Sequence, residues 1–176
     1  MRRYFLRTGR LGFAVWTGED TVLAERLWGD PEVTSYLVSG GRMDPLAVHE
    51  RLQTELECQR AHGVQYWPVF SLETDEFIGC CGLHPHGADP KVFEMGVHLI
   101  KKQWHKGIAT EACSAVIEHA FHVLGADWLF AGHNPENLAS KQLLRSLGFQ
   151  YMHDEYFPMT GLMHPSYRLD RHRGQV

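Results

Sequence analysis

The sequence predicts a mixed α/β fold, one domain whose helices cover both faces of a central sheet. Two observations carry this. The apolar spacing switches repeatedly between helical and strand-like periods along the chain, and the elements run β, α, α, β, β, β, α, β, α, β, β rather than in the regular alternation of a doubly wound nucleotide fold. A length of 176 residues, 44% apolar and 22% charged, suits a single domain with a full core. The domain is expected to span residues 1–170, with 171–176 as a loose C-terminal tail.

The first strand is read over "RLGFAVW", Arg10 to Trp16. Thr17 then opens a helix with Asp20 as an acidic capping-box partner, and Leu23, Ala24, Leu27 and Trp28 form its buried stripe. "EVTSYL" is a short helical turn or loop. Asp44-Pro45 starts the second long helix as cap and first residue, Val48, Leu52 and Leu56 give it an apolar face, and Gly63 ends it. "YWPVFSL" and "FIGCCGL", joined by "ETDE", form an antiparallel hairpin, and "VFEMGVHLI" adds a further strand. The next helix buries Ala109, Ala112, Cys113, Val116, Ala120 and Val123, and turns Glu111, Ser114, Glu118 and His122 outward. "DWLFAGH" is a strand, Asn134-Pro135 starts the fourth helix, and Gly148 stops it with Phe149 folded back on Leu144. "YMHDEYF" and "SYRLD" close the sheet.

Composition excludes several classes. A formal net charge of −4 gives no global signal for nucleic acid. No stretch is long and apolar enough to span a membrane, and the basic N-terminus lacks the apolar core of a signal peptide. Cys58, Cys80, Cys81 and Cys113 make no C-x-x-C pair, and neighbours 80 and 81 face opposite sides of a strand. Four free thiols in a reducing cytoplasm are expected. "HPH" (His84, His86) and "HAFH" (His119, His122) lack a third ligand, so no metal site is expected.

The stretch "QWHKGIATEA", Gln103 to Ala112, carries the chemistry. It joins a strand to a helix through small residues and positive charge. A helix start offers unpaired N–H groups and a positive dipole end, and Gly107 and Ala109 let an anion approach the backbone. Lys102, His105 and Lys106 add charge. A solvated lysine cluster over an ordinary helix start explains the same residues. The P-loop and dinucleotide glycine patterns are both absent.

"EMGVHLIKKQWHKGIATEA" resembles motif A of the GNAT acetyltransferase superfamily, whose [RQ]-x-x-G-x-[GA] loop wraps the pyrophosphate of acetyl-CoA. Gly107 and Ala109 match its last two fixed positions. Trp104 stands where members of the RimJ/RimL type carry Trp. "RLGFAVWTGEDTVLAERLWGDPEV" is similar to that family's opening strand and helix, and "HNPENLASKQLLRSLGF" to its second CoA motif, so the resemblance covers roughly residues 7–170. It implies a sheet splayed at the cofactor cleft, acetyl-CoA as co-substrate, and acetyl transfer to a primary amine in a ternary complex. Trp104, His105, Lys106, Gly107, Ile108, Ala109 and Thr110 would cradle the pyrophosphate. Backbone groups around Val97, His98 and Leu99 would meet the pantetheine arm, as would Asn137, with Ser140 near the sulfur. Two positions depart from the pattern: His105 replaces a glycine, and Leu144 stands where many members place a tyrosine acid.

Three residues are candidates for proton transfer. Glu94 shares a strand face with Gly96 and His98 just before the expected splay, and would serve as base; a surface carboxylate is the other reading. His133, at a strand's C-terminal end, is a second base or a loop histidine bonding a helix cap. Ser140 is an acid for the leaving thiolate or a serine bonding its own helix. Trp28, Tyr36 and Trp67 are candidates for an acceptor pocket. The acceptor is a protein N-terminus or a small amine, and the chain is a monomer or homodimer. A non-catalytic acyl-CoA-binding module on the same fold remains the alternative.

Overall fold

The computed structural model describes residues 2–171, so most of the expected tail lies outside the described residues. Its sheet has eight strands: β1 (Leu6–Arg7), β2 (Leu11–Phe13), β3 (Tyr66–Ser71), β4 (Phe77–Pro85), β5 (Val92–Leu99), β6 (Trp128–Gly132), β7 (Gln150–Phe157) and β8 (Leu162–Asp170). They lie in the order β1-β2-β3-β4-β5-β6-β8-β7. All neighbours are antiparallel except β5 and β6. The helices are α1 (Thr21–Trp28), α2 (Pro31–Thr34), α3 (Pro45–His62), α4 (Ile108–His122) and α5 (Leu138–Ser146).

Helices cover both faces, as expected. On one side Ala24, Leu27 and Trp28 of α1 and Val48 and Leu52 of α3 pack with Tyr66, Phe70 and Cys80. On the other, Ile108, Cys113 and Val116 of α4 and Leu144 of α5 pack with Cys81, Leu83 and Met95. Cys80 and Cys81 thus enter opposite cores, and all four cysteines are free.

Several boundaries differ from the sequence expectation. The first long strand is only Leu11–Phe13, with the short β1 ahead of it. Asp20 caps no amide ahead of it; its carboxylate instead accepts the Thr17 amide and hydroxyl, both at 2.8 Å. That closed turn delays the helix from Thr17 to Thr21. Asn134 likewise accepts the Glu136 amide at 3.0 Å, so Asn134-Pro135 forms its own turn and α5 begins after Asn137. Val123 is exposed just beyond α4, not buried. The Asp44-Pro45 start and Gly63 stop of α3 stand as read, with Asp44 accepting the Ala47 amide. At the end of α5 the Phe149 amide bonds the Leu144 carbonyl and the Gly148 amide that of Arg145, the pair of bonds that defines a Schellman stop.

The site follows from one irregularity. β5 and β6 pair only where Val92, Phe93 and Glu94 face Trp128, Leu129 and Phe130. Beyond Glu94, β5 continues to Leu99 with β4 alone beside it. Parallel strands that part in this way leave one edge of β5 without a strand partner.

Candidate active site

The direction of each β5 amide decides what that edge offers. His86 N–H bonds the Val92 carbonyl and Ile100 N–H the Ile78 carbonyl, so the even-numbered residues of this segment bond across to β4. The Asp127 amide meets the Lys91 carbonyl on the other side. Alternation therefore turns the backbone groups of Met95, Val97 and Leu99 toward the gap. The backbone of His98, opposite Cys80, faces β4 and not the gap. Leu99 keeps only its amide for the gap, because the Trp104 indole N–H donates to its carbonyl at 2.9 Å.

The loop after β5 is held by side chains that no local motif connects. Arg10 Nε lies 2.6 Å from Glu111 Oε2, and Arg10 Nη1 donates to the Lys106 carbonyl at 3.1 Å. Thr8 Oγ1 and the Arg10 amide bond Glu111 Oε1 at 2.5 and 3.0 Å. Burial raises the pKa of Glu111, but these donors outweigh it and hold the carboxyl below its ordinary value. The clasp fixes the start of α4 against the turn before β2. Sequence reasoning missed it because its halves lie about a hundred residues apart.

Within this frame His105 has φ 59° and Gly107 φ 72°. The positive φ at His105 is one that glycine adopts freely and histidine adopts with strain. No side chain caps α4; its first internal bond is from the Glu111 amide to the Gly107 carbonyl at 3.1 Å. The amides of Ile108, Ala109 and Thr110 thus start the helix without an intrahelical acceptor. A Cβ on Gly107 would come no nearer than 3.7 Å to a protein atom, Arg10 Nη2, so the space above the loop is open. The lysines contribute less than their number implies: Lys101 pairs with Glu32, and Lys102 with Glu76 at 3.0 Å. Among the described residues the Lys106 ammonium bonds only Gln103, at 3.4 Å, and stays available. An uncapped 15-residue helix, a glycine in the left-handed region and one available lysine fit a pyrophosphate.

Asn137 caps α5, accepting the Ser140 amide at 3.0 Å, and leaves its own NH2 without a partner among the described residues. The Ser140 hydroxyl shows no bond back to its helix, and the side chain is half-buried. His133 is different. Its Nδ1 lies 2.7 Å from the Asn134 carbonyl and its Nε2 3.2 Å from the Tyr167 hydroxyl, and the residue is buried. A carbonyl only accepts, so Nδ1 carries the proton and Nε2 accepts from tyrosine. With both nitrogens engaged, His133 is a structural histidine and not a base.

Glu94 is the last β5 residue paired with β6 and is half-buried. The Tyr66 hydroxyl lies 3.5 Å from its Oε1. The Tyr66 ring lies over Gly96, where a Cβ would approach it to 2.3 Å; only glycine permits this contact. Burial raises the Tyr66 pKa well above its ordinary value, so the phenol remains a donor. On the same face Trp28 Nε1 donates to His98 Nδ1 at 3.1 Å. Burial, then the Arg51 guanidinium and His84, push His98 down to about 3, so the ring stays neutral and can accept. Of the three aromatics expected at an acceptor pocket, Trp28 is on this face, whereas Trp67 is buried in the opposite core. Tyr36 is partly exposed, its carbonyl accepting from Asn134 at 3.4 Å.

A parted parallel pair feeding an uncapped helix through a left-handed turn sets a free strand edge beside an anion site. Residues 10–150 match the family described as "Acetyltransferase (GNAT) domain", and the chain belongs to that family. It is 32% identical over 145 residues to the uncharacterized N-acetyltransferase p20 of Bacillus licheniformis, covering 82% of each chain. An acetyltransferase structure from Agrobacterium tumefaciens str. C58 superposes with a TM-score of 0.77 at 25% identity, over 97% of this chain and 99% of that one. RimL, the ribosomal L7/L12 alpha-N-protein acetyltransferase in complex with coenzyme A, shares the fold at a TM-score of 0.79. Identity there is 12%, with 96% and 98% of the two chains covered. The chain is thus a GNAT acetyltransferase of the RimJ/RimL fold type. No helix among the described residues is long and apolar enough to cross a membrane, and no group of three or more His, Cys, Asp or Glu among them is placed to hold a metal.

Proposed function

We propose that the protein transfers acetyl from acetyl-CoA to a primary amine by direct attack in a ternary complex. The observation that carries this is the free β5 edge running straight into the uncapped start of α4. Acetyl-CoA supplies the activated thioester. The amides of Ile108, Ala109 and Thr110, with Lys106, would hold its pyrophosphate. The gap-facing groups of Met95 and Val97 and the Leu99 amide would bond the pantetheine as a strand partner, and one of these N–H groups would polarise the thioester carbonyl. RimL, whose structure contains coenzyme A, supports the assignment by its fold.

The acceptor approaches from the face of α1 and α3, where Glu94 and the Tyr66 hydroxyl meet at the split. Glu94 receives an N–H of the amine. The leaving thiol needs little help, since ordinary thiols ionise near about 8.5, and the Ser140 hydroxyl or water provides it. This explains how Leu144, a hydrocarbon, can occupy the usual acid position. The acceptor is either a protein N-terminus, the substrate type named for RimL, or a small amine. The test is incubation with acetyl-CoA and a mixed panel of peptides, polyamines, amino sugars and amino acids, following free thiol. Amine-dependent thiol release is expected. Tight CoA binding without release on any amine would favour a non-catalytic binding module.

A further inference from the structure

Directly across the sheet from Glu94 stands His84 of β4. Its Nε2 lies 2.8 Å from Oε2 of Glu55, a residue of α3 that is fully buried. Glu55 Oε2 is held by hydrogen bonds, whereas buried Oε1 meets Arg51 only as an ion pair. Oε2 also accepts the Tyr66 amide at 2.7 Å, and Arg51 Nη2 lies 2.7 Å from Oε1. A carboxylate accepts, so Nε2 of His84 carries the proton and Nδ1 holds a lone pair. Nδ1 makes no hydrogen bond among the described residues. The ring is held flat on Tyr66, centroids 4.2 Å apart at 17°, and the side chain retains 19% exposure.

Building on the acetyltransferase reading above, we infer that the Glu55–His84 pair is the proton acceptor for the amine: His84 is a catalytic base and Glu55 the residue that positions it. Burying a carboxylate costs several kcal/mol unless it is fully paired, and the pairing here ends on one imidazole beside the split. An imidazole whose other nitrogen is tied to a carboxylate can take a proton at its bare nitrogen and pass it on. The groups facing His84 are Arg51 and Glu55 from α3, Tyr66 from β3, and Glu94 and His98 from β5. In the step, one N–H proton of the amine passes to Nδ1, directly or through a water. The nitrogen forms its bond to the thioester carbonyl carbon, the C–S bond breaks, and its electron pair leaves on sulfur. The sulfur takes a proton from solvent, directly or relayed through the Ser140 hydroxyl, and the imidazolium, stabilised by Glu55, later releases its proton to solvent. Glu94 remains the group that receives and orients the amine.

Two measurements test this. In the ligand-free protein, nitrogen-15 NMR of His84 should show the Nε2–H tautomer; an Nδ1–H tautomer would overturn the inference without any assay of activity. In kinetics, His84→Gln keeps a donor toward Glu55 but accepts no proton. It should lower kcat by about a hundredfold at neutral pH, with the KM for acetyl-CoA little changed. The deficit should shrink at alkaline pH as free amine accumulates. His84→Ala should regain part of its activity when imidazole is added. If the wild type is active and His84→Gln stays within about twofold of it across the pH range, the base lies elsewhere and only this inference fails. A wild type inactive on every amine would overturn both this inference and the transferase reading.

Discussion

In the proposed reading Asn137 has two tasks, carried by two different atoms, and substitution can separate them. Its Oδ1 accepts the Ser140 amide at 3.0 Å and caps α5, while its NH2 is free to meet the pantetheine. Asn137→Ala removes both. Loss of such a cap costs about 1 kcal/mol, or roughly 2–4 °C in Tm for a chain of this length. Asn137→Asp keeps the acceptor and adds negative charge at the helix start, worth about 0.3–1 kcal/mol in the favourable direction. Its stability should therefore equal or exceed that of the wild type. It lacks the donor, however, and a neutral hydrogen bond contributes about 0.5–1.5 kcal/mol net, so CoA affinity should fall by about threefold to tenfold. Thermal melts followed by calorimetric titration with CoA read the two effects apart. An Asn137→Asp protein that binds CoA like the wild type would show that Asn137 is a helix cap and nothing more.

Other outcomes follow from the same geometry. Glu94→Gln keeps the reach to Tyr66 but not the charge. With His84 left to take the proton, turnover should fall by a similar factor at every pH and the KM for the amine should rise; unchanged kinetics on every amine would make Glu94 a sheet carboxylate only. Ser140→Ala should lower turnover by about tenfold to a hundredfold at most, because water can protonate a thiolate that already leaves readily; a loss of many orders of magnitude in single-turnover assays would contradict this. His98, held neutral down to about 3, ordinarily titrates near 6.5, so the unfolded chain binds the extra proton between these values. This contribution to stability is intact above about pH 6.5 and is lost as pH falls toward 3. Melts across that window should show a smaller decline for His98→Gln than for the wild type.

What the sequence made legible was local. Asp44-Pro45 and Gly148-Phe149 carry their own capping chemistry, and the "WHKGIATEA" loop holds the left-handed glycine that opens α4 within one turn. Boundaries were missed where a side chain closed a separate turn ahead of the helix, as Asp20 does with Thr17 and Asn134 with Glu136. The candidate site was harder to read, because its partners lie far apart in the chain. Glu55 looks like a solvent-facing helix residue until Arg51, His84 and the Tyr66 amide close around it. His84 looks like half of a metal pair because its carboxylate partner sits on another element. His133 looks reactive at a strand end, yet Tyr167 and the Asn134 carbonyl occupy both its nitrogens. Lys102 looks like ligand charge, and Glu76 takes it.

The claim that the start of α4 holds the pyrophosphate of CoA is tested most directly by calorimetry on wild type and Gly107→Val. Gly107 sits at φ 72°, and no protein atom comes nearer than 3.7 Å to the place a Cβ would take. The open space admits the side chain, but valine in the left-handed region is strained, so the variant should fold with a stability loss of about 1–3 kcal/mol while its bulk fills the anion's space. Wild type should bind CoA and bind free pantetheine far more weakly, and Gly107→Val should lose the difference between the two ligands. Equal CoA affinity in both proteins, or pantetheine binding as tight as CoA, would contradict the account.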